Sequence, residues 1–135
     1  MTQTQARSLK DCTVGWICAL PVEMAAKAML DEIYEDLPIP SHDHNAYILG
    51  RVGKHNVVVA GLPNGKYGTS SAAVAATQLL ATLHSVRFSL MVGIDGGVPN
   101  SEVDIRLGDV VVSKPTDRYG GVVQYDYGKA LNSRF

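Results

Sequence analysis

One carboxylate, Glu23, stands where an acid could do chemistry. It follows the apolar segment TVGWICA and Pro21, in the first turn of a helix that the sequence predicts. Ligands of open α/β sheets bind at the edge where such helices follow strands. An acid there can hold a water molecule or a sugar hydroxyl, and the helix dipole favours its ionised form. The alternative is that Glu23 only complements the dipole, and spacing alone leaves both interpretations open.

Two glycine-containing segments could offer main chain to a ligand. NGKYGT, residues 64–69, connects a predicted strand to a predicted helix, and GIDGG, residues 93–97, ends an apolar run. Glycine lets a ligand approach the backbone closely, although neither segment has the spacing of a P-loop or of a dinucleotide fingerprint. Asp95 would repel an anion and can accept a hydrogen bond from a hydroxyl. The alternatives are a tight connection for the first segment and an exposed glycine turn for the second.

Metal and thiol chemistry are not favoured by the pattern. His42 and His44 flank Asp43 in a polar loop without a third ligand in view, so we predict solvated side chains and no metal. Cys12 and Cys18 are six positions apart in an extended segment, roughly 20 Å and too far for a disulfide. We expect buried free thiols. The sequence identifies no base beside Cys18 or any serine, so a nucleophilic triad cannot be argued.

Strands and helices alternate in the first part of the chain. A buried strand is predicted over residues 13–19, and a surface loop with two prolines over 36–45. Between them, from Pro21, we expect a helix. Its apolar face would hold Val22, Ala25, Ala26, Met29, Leu30 and Ile33.

The rest of the chain continues the α/β pattern. Residues 46–52 and 56–62 predict a hairpin, and Thr69 or Ser70 is expected to cap a following helix. RFSLMVGI, residues 87–94, predicts a central strand buried on both faces. Further strands are predicted over 109–115 and 122–128. The buried helix face is predicted to hold Ala72, Ala73, Ala76, Leu79, Leu80 and Leu83.

Composition sets the class of protein. The chain has 135 residues, 46% of them hydrophobic, and a formal net charge of −1, which is typical of one globular domain. Without a basic block, nucleic acid and anionic membranes are not expected as partners. No signal peptide or apolar stretch of ~20 residues is visible, so we expect a cytoplasmic protein. Residues 1–11 are expected to be a disordered tail.

The segments VGWICALPVEMAA, LPNGKYGTSSAA, MVGIDGGVP and IRLGDVVVSKP, in this order, resemble the purine nucleoside phosphorylase and methylthioadenosine/adenosylhomocysteine nucleosidase superfamily. The resemblance is strongest to the fungal domains often found at the N-terminus of NACHT or ankyrin-repeat proteins, and it covers residues 12–135. It implies an α/β sandwich around a mixed, partly barrelled sheet. It also implies cleavage or transfer of the N-glycosidic bond of purine nucleosides, without a metal or an organic cofactor.

The resemblance assigns roles to individual residues. Glu23 matches the glutamate that holds and activates the attacking water, and Tyr67 falls where the glycine loop lines the ribose. Pro21, Val22 and Met91 stand where the phosphorylase branch has arginines for phosphate, so hydrolysis is expected over phosphorolysis. Asp95 replaces a glycine that is usual in the related domains. The segment expected under the sugar and base consists of Gly93, Ile94, Asp95, Gly96 and Gly97.

Residues 12–135 resemble only the N-terminal half of the family domain. The resemblance places the ribose clamp, the aromatic base stack and the acid that protonates the purine in the other half. We therefore expect the chain alone to be a weak or inactive enzyme. We also expect exposed strand edges that favour a homo-oligomer. The alternative function is a non-catalytic module of a fungal NLR-like protein that senses a nucleoside or binds a partner.

Overall fold

The computed structural model describes residues 8–18, 25–62 and 68–122. The chain divides into two compact units, Met1–Asp95 and Gly96–Phe135. Within the described residues, no helix is long and apolar enough to cross a membrane. The expected tail ends in one turn of 3-10 helix, Leu9–Asp11, whose N-cap Ser8 accepts a hydrogen bond from the main-chain N–H of Lys10. The first seven residues of that tail lie outside the described residues.

The first unit is built on a mixed five-stranded sheet. In spatial order the strands are β2-β3-β4-β1-β5; β4, β1 and β5 run parallel, whereas β2 and β3 pair antiparallel. The predicted α/β class is confirmed, and the described strands form an open sheet that does not close into a barrel. The strand bounds are β1 Val14–Cys18, β2 Glu32–Ile33, β3 Ala46–Val52, β4 His55–Gly61 and β5 Phe88–Val92.

Helical segments cover both faces of the sheet. Helix α1, Thr69–Thr82, packs Leu79 against the face that carries Ile17 and Val58. A helical turn at residues 25–28 places Ala26 against Val59 and its neighbours on the opposite face. The close approach on the α1 face depends on Gly15 in β1, because a Cβ there would lie 2.7 Å from Ser89 Oγ and 3.2 Å from Leu79 Cδ2. Helical residues thus pack against both faces of the sheet, as in a layered α/β sandwich.

The predictions for β1 and the hairpin are confirmed to within a residue or two. β1 is buried between β4 and β5, as its apolar, β-branched sequence indicates. The hairpin turns at residues 53–54, where Gly53 has a φ of +58° that a glycine adopts without strain. Both elements are specified by residues close together in sequence.

Helix α1 is confirmed, but its cap and its buried face differ from the prediction. The N-cap is Gly68, with a φ of +94°, so Thr69 and Ser70 already lie inside the first turn. The buried residues are Ala75, Leu79 and Leu83, one stripe at four-residue spacing. The predicted face missed Ala75, and two of its members, Ala73 and Leu80, are exposed.

The predicted helix from Pro21 to Ile33 is too long. Helical structure ends at residue 28, and Glu32–Ile33 forms β2 instead. The main chain of residues 31–34 pairs with β3. The N–H of Asp31 donates to Arg51 O at 2.8 Å, and the N–H of Tyr34 donates to Leu49 O at 2.8 Å. Ile33 is consequently half exposed rather than buried. Val22 lies outside the described residues.

The prediction that residues 87–94 form a central strand, buried on both faces, is wrong. Within the described sheet, β5 is an outermost strand that pairs with β1 alone. Phe88, Leu90 and Met91 are roughly half exposed. Continuous apolarity indicates a strand but does not say what will cover it.

The described part of the second unit, residues 96–122, has little regular structure. Its one described bridge joins Thr116 and Tyr119. The strand predicted over 109–115 is absent there, and Val110, Val111 and Val112 are largely exposed. An extended apolar run forms a strand only when another strand satisfies its main chain, and no described residue does so. The last predicted strand, 122–128, lies almost wholly outside the described residues.

Candidate active-site edge

Three parallel strands end together at one edge of the sheet. Cys18, the last residue of β1, lies opposite Gly61 at the end of β4 and opposite Val92 at the end of β5. The contact between β1 and β4 continues past the strands, since the N–H of Leu62 donates to Cys18 O at 2.9 Å. Neighbouring strands lie about 4.8 Å apart, so these ends span roughly 10 Å.

The segments singled out in the sequence follow these three strand ends. Residues 19–24, with Glu23, follow β1; residues 63–67, with Tyr67, follow β4; and the glycine segment follows β5. Glu23 and Tyr67 themselves lie outside the described residues, so their roles stay predictions. The strand ends from which the three segments start are brought together, which is the arrangement that binds ligands in open α/β sheets.

Gly93 is a glycine that neither its backbone conformation nor its packing explains. Its φ is not positive, and an added Cβ would meet no described atom within 4 Å. Gly50 in β3 is different, since a Cβ there would lie 2.5 Å from Glu32 O. The space beside Gly93 is therefore open to a ligand. Ile94, at 85% exposure, and Asp95 continue this exposed segment.

Gly96 and Gly97 belong to the second unit. A Cβ on Gly97 would lie 2.5 Å from Ile105 Cγ2, so packing within that unit accounts for this glycine. At Gly96 an added Cβ would meet no described atom within 4 Å. The five residues predicted as one cradle thus divide between the two units after Asp95.

The described residues at this edge carry no cationic side chain. Met91, in the place of the expected phosphate-binding arginine, is apolar and half exposed. The arginine of this segment, Arg87, precedes the opposite end of β5, where its main-chain N–H donates to Thr13 O at 2.9 Å. It lies roughly 13 Å along the strand from Met91 at ~3.3 Å per residue. Asp95 is the charged side chain among described residues 91–95.

A buried polar cluster in the loop that leads into β3 was missed by the sequence analysis. Asp43 and Asn45 are each only 8% exposed, within the loop expected to lie at the surface. The Asp43 carboxylate accepts hydrogen bonds from the Tyr47 hydroxyl at 2.7 Å, from the Asn45 N–H at 3.0 Å and from the Thr82 hydroxyl. The Asn45 side-chain amide donates to Ala75 O at 2.9 Å. These hydrogen bonds hold the loop before β3 against α1.

The hydrogen bonds determine the charge state of this cluster. Burial alone would raise the pKa of Asp43, but hydrogen bonds from Thr82, Tyr47 and Asn45 hold that pKa below its ordinary value. Burial and the adjacent Asp43 carboxylate raise the pKa of Tyr47. The sequence signal was the Asp-x-Asn spacing, typical of an Asx turn. Because Ala46 pairs with Gly61, the cluster anchors the strand beside the candidate edge.

Neither histidine nor cysteine side chains form a reactive centre in the part of the chain that the structure describes. No three metal-ligating side chains come together there, and His42 and His44 are exposed. Cys12 and Cys18 are both buried free thiols, as predicted. Burial, with a smaller effect of Asp11, raises the pKa of the Cys12 thiol to about 11. This thiol is therefore protonated and unreactive at neutral pH.

The amino-acid sequence of the chain matches a known family. A profile of the Phosphorylase superfamily matches residues 13–131. The chain belongs to the phosphorylase superfamily. The resemblance inferred from the sequence is thereby confirmed at the level of the nucleoside phosphorylase/nucleosidase domain.

Two kinds of relative share this phosphorylase superfamily domain. A "Nucleotide-binding leucine-rich repeat (NLR)-like protein" of Hyaloscypha variabilis is 50% identical over 93% of the chain. A "5'-methylthioadenosine/S-adenosylhomocysteine nucleosidase" of Mycobacterium bovis is 31% identical over 90% of the chain, and the same figures hold for the Mycobacterium tuberculosis enzyme. The chain spans 13% of the NLR-like protein and 42% of each nucleosidase. No solved structure gives a significant match.

Proposed function

We propose that this phosphorylase superfamily domain acts on the N-glycosidic bond of purine nucleosides, with water rather than phosphate as the nucleophile. The observation that carries the proposal is the register of Cys18, which aligns the carboxyl ends of β4, β1 and β5. Three segments with candidate site residues start from that edge. The similarity to two methylthioadenosine/adenosylhomocysteine nucleosidases supports a purine nucleoside as the ligand.

In this proposal Glu23 is the base and the glycine segment receives the sugar. The Glu23 carboxylate takes a proton from water as the water oxygen bonds to C1′ of the ribose. The bond between C1′ and the purine nitrogen breaks, and its electron pair leaves with the base, which then takes up a proton. Tyr67 lines the ribose, and the open space beside Gly93 allows the sugar to lie against the main chain.

The charge at the edge supports water as the nucleophile. Phosphate brings close to two negative charges and needs cationic or strongly polar groups to hold it. The described part of the edge offers Met91 and Asp95, an apolar side chain and an acidic one. Water requires no such clamp, because a single carboxylate can orient and deprotonate it.

A second candidate is a nucleoside-sensing or partner-binding module without turnover. It is favoured by the 50% identity to the NLR-like protein, which is higher than the 31% identity to the nucleosidases. The same edge would then bind a nucleoside as a signal. Binding and bond cleavage therefore have to be measured separately.

The test combines calorimetric binding of methylthioadenosine with chromatographic detection of released adenine over long incubations. The matched variants are Glu23→Gln and Glu35→Gln, the second at an exposed glutamate of the loop after β2. We expect the wild type and both variants to bind the nucleoside with similar affinity. We expect adenine release from the wild type and from Glu35→Gln, and its loss in Glu23→Gln.

Each other outcome has a definite meaning. Binding without any adenine release from the wild type would fit both the sensing module and the inactivity expected of residues 12–135 alone, and would not support hydrolysis by this chain. Unchanged release by Glu23→Gln would remove Glu23 from the mechanism. Absence of nucleoside binding to the wild type would contradict both the enzyme and the nucleoside-sensing module and would favour a partner-binding module.

A further inference from the structure

A groove of about 450 Å³ lies in the first unit, at the opposite edge of the sheet from the candidate active site. Its walls come from the 3-10 turn before β1, from the loop after β2 and from the segment between α1 and β5. These parts meet where β1 and β5 begin, about 15 Å along a five-residue strand from the edge at Cys18. The lining residues are Ser8, Leu9, Lys10, Leu37, Pro38, Thr82, His84 and Ser85.

The groove has an apolar part and a polar part. Leu9, Leu37 and Pro38 supply an apolar surface, and the two leucines also pack against the buried core. Lys10 and His84 add groups that donate hydrogen bonds, Lys10 with a positive charge. No carboxylate is among the described residues that line the groove, and no described residue forms an ion pair with Lys10 or His84.

Two acids near the groove take part in hydrogen bonds elsewhere, whereas Asp36, which precedes the lining residue Leu37, is exposed. The Asp11 carboxylate accepts a hydrogen bond from the main-chain N–H of Ser8 at 2.9 Å, which closes the 3-10 turn. The Asp43 carboxylate accepts from Thr82 and is buried in the polar cluster described above. These bonds also hold two walls of the groove in place, which lowers the entropic cost of binding there.

We propose that this groove is a second ligand site, for a small organic anion with a compact apolar body, such as an aryl phosphate or carboxylate. The anionic group would contact Lys10 and His84, and the apolar body would cover Leu9, Leu37 and Pro38. The volume falls in the range of small-molecule sites, roughly 300–1,000 Å³. The site is independent of the nucleoside edge and of the proposed hydrolysis.

The probe for the test is phenyl phosphate, which combines a benzene ring with a dianionic head. It is titrated into the 15N-labelled chain and followed by amide chemical shifts, beside parallel titrations with inorganic phosphate and with phenol. We expect saturable shifts at Ser8–Lys10, Leu37 and Thr82–Ser85 with phenyl phosphate. The two half-probes should bind at least about tenfold more weakly, since each lacks one part of the interaction.

Two double variants separate the groove from general charge effects. Lys10→Gln with His84→Gln should raise the dissociation constant for phenyl phosphate about tenfold or more. Lys27→Gln with His44→Gln makes the same two substitutions at exposed positions outside the groove and should leave that dissociation constant unchanged. Shifts that do not saturate, that map to other residues or that are equal in both double variants would overturn the proposal. Melting curves of all variants confirm that these exposed substitutions leave the fold intact.

Discussion

Cys18 and Val92 lie opposite each other at the ends of the parallel strands β1 and β5. The main chain after both residues therefore leaves the sheet from one edge. On the other side of Cys18, Gly61 ends β4 at the same level. This relationship, rather than any single side chain, makes the edge a candidate site.

Gly93→Ala should weaken nucleoside binding without lowering stability. A Cβ at this position meets no described atom within 4 Å, so it would occupy only the space proposed for the sugar. Gly50→Ala is the matched control, because its Cβ would lie 2.5 Å from Glu32 O, far from the ligand. We expect the control to lose about 1–3 kcal/mol of unfolding free energy. Calorimetry and urea denaturation measure the two effects. Equal nucleoside affinity for Gly93→Ala and wild type would place the sugar elsewhere.

Phosphate should not increase the release of adenine, and ribose 1-phosphate should not be the main sugar product. The described residues beside Val92 offer phosphate an apolar Met91 and a repelling Asp95. Met91→Arg should strengthen phosphate binding, since it introduces the cation that the phosphorylase branch is expected to carry, whereas Met91→Gln should not. Product analysis with and without phosphate decides the point. Ribose 1-phosphate as the wild-type product would contradict hydrolysis.

Asp43→Ala should destabilise the first unit by about 1–3 kcal/mol, because it leaves one buried and two partly buried donors without their acceptor. The donors are the hydroxyls of Tyr47 and Thr82 and the N–H of Asn45. Asp36→Ala, at an exposed position of the same loop, should change stability by less than about 0.5 kcal/mol. Urea denaturation at neutral pH measures both. Equal effects of the two substitutions would show that the cluster is not stabilising.

The stabilising effect of Asp43 should disappear in acid. Its folded-state pKa lies below the unfolded value of about 3.9, so the carboxylate stabilises the fold above that pH. The contribution is lost as the pH falls through the lower, folded-state pKa. The stability difference between wild type and Asp43→Ala should therefore shrink on acidification, while the difference for Asp36→Ala stays small. A difference that is constant from pH 7 to strong acid would contradict the ionised cluster.

The exposed face of β5 should drive concentration-dependent self-association. Phe88, Leu90 and Met91 are roughly half exposed on a strand that pairs only with β1 in the described sheet. Leu90→Lys should reduce the average mass seen by sedimentation velocity. Val74→Lys, an equally exposed apolar position on α1, serves as the control and should leave association unchanged. A wild-type chain that stays monomeric at high concentration would refute this prediction.

The sequence predicted elements whose determinants are local. The hairpin around Gly53, the buried β1 and helix α1 follow from alternation, turn residues and helical spacing within short segments. β2 could not be predicted this way, since Glu32 and Ile33 continue a helical pattern and become extended only through pairing with Arg51 and Gly50. Apolar content likewise gave no information on whether β5 would be covered.

The candidate site also combines features that local sequence predicts with features that depend on distant residues. The strands whose ends form the edge follow from apolar segments of the sequence. The burial of Asp43 depends on Thr82, 39 positions away, which no local pattern connects to it. The division of the glycine segment after Asp95 also arises from packing, since Gly97 contacts Ile105 of the second unit.

The position of β1 in the sheet has a consequence for how the chain acquires its structure. β1 comes first in sequence among the described strands, yet both of its neighbours, β4 and β5, come much later in sequence. Among the described strands, β3 and β4 can pair as soon as both have been synthesised, because a two-residue turn joins them. β1 can pair with β4 only after the whole segment between them has been synthesised. Such non-local pairing carries a loop-closure cost and slows folding. Until that pairing is complete, the apolar β1 segment is exposed, and in this period the nascent chain is most open to aggregation or to a chaperone.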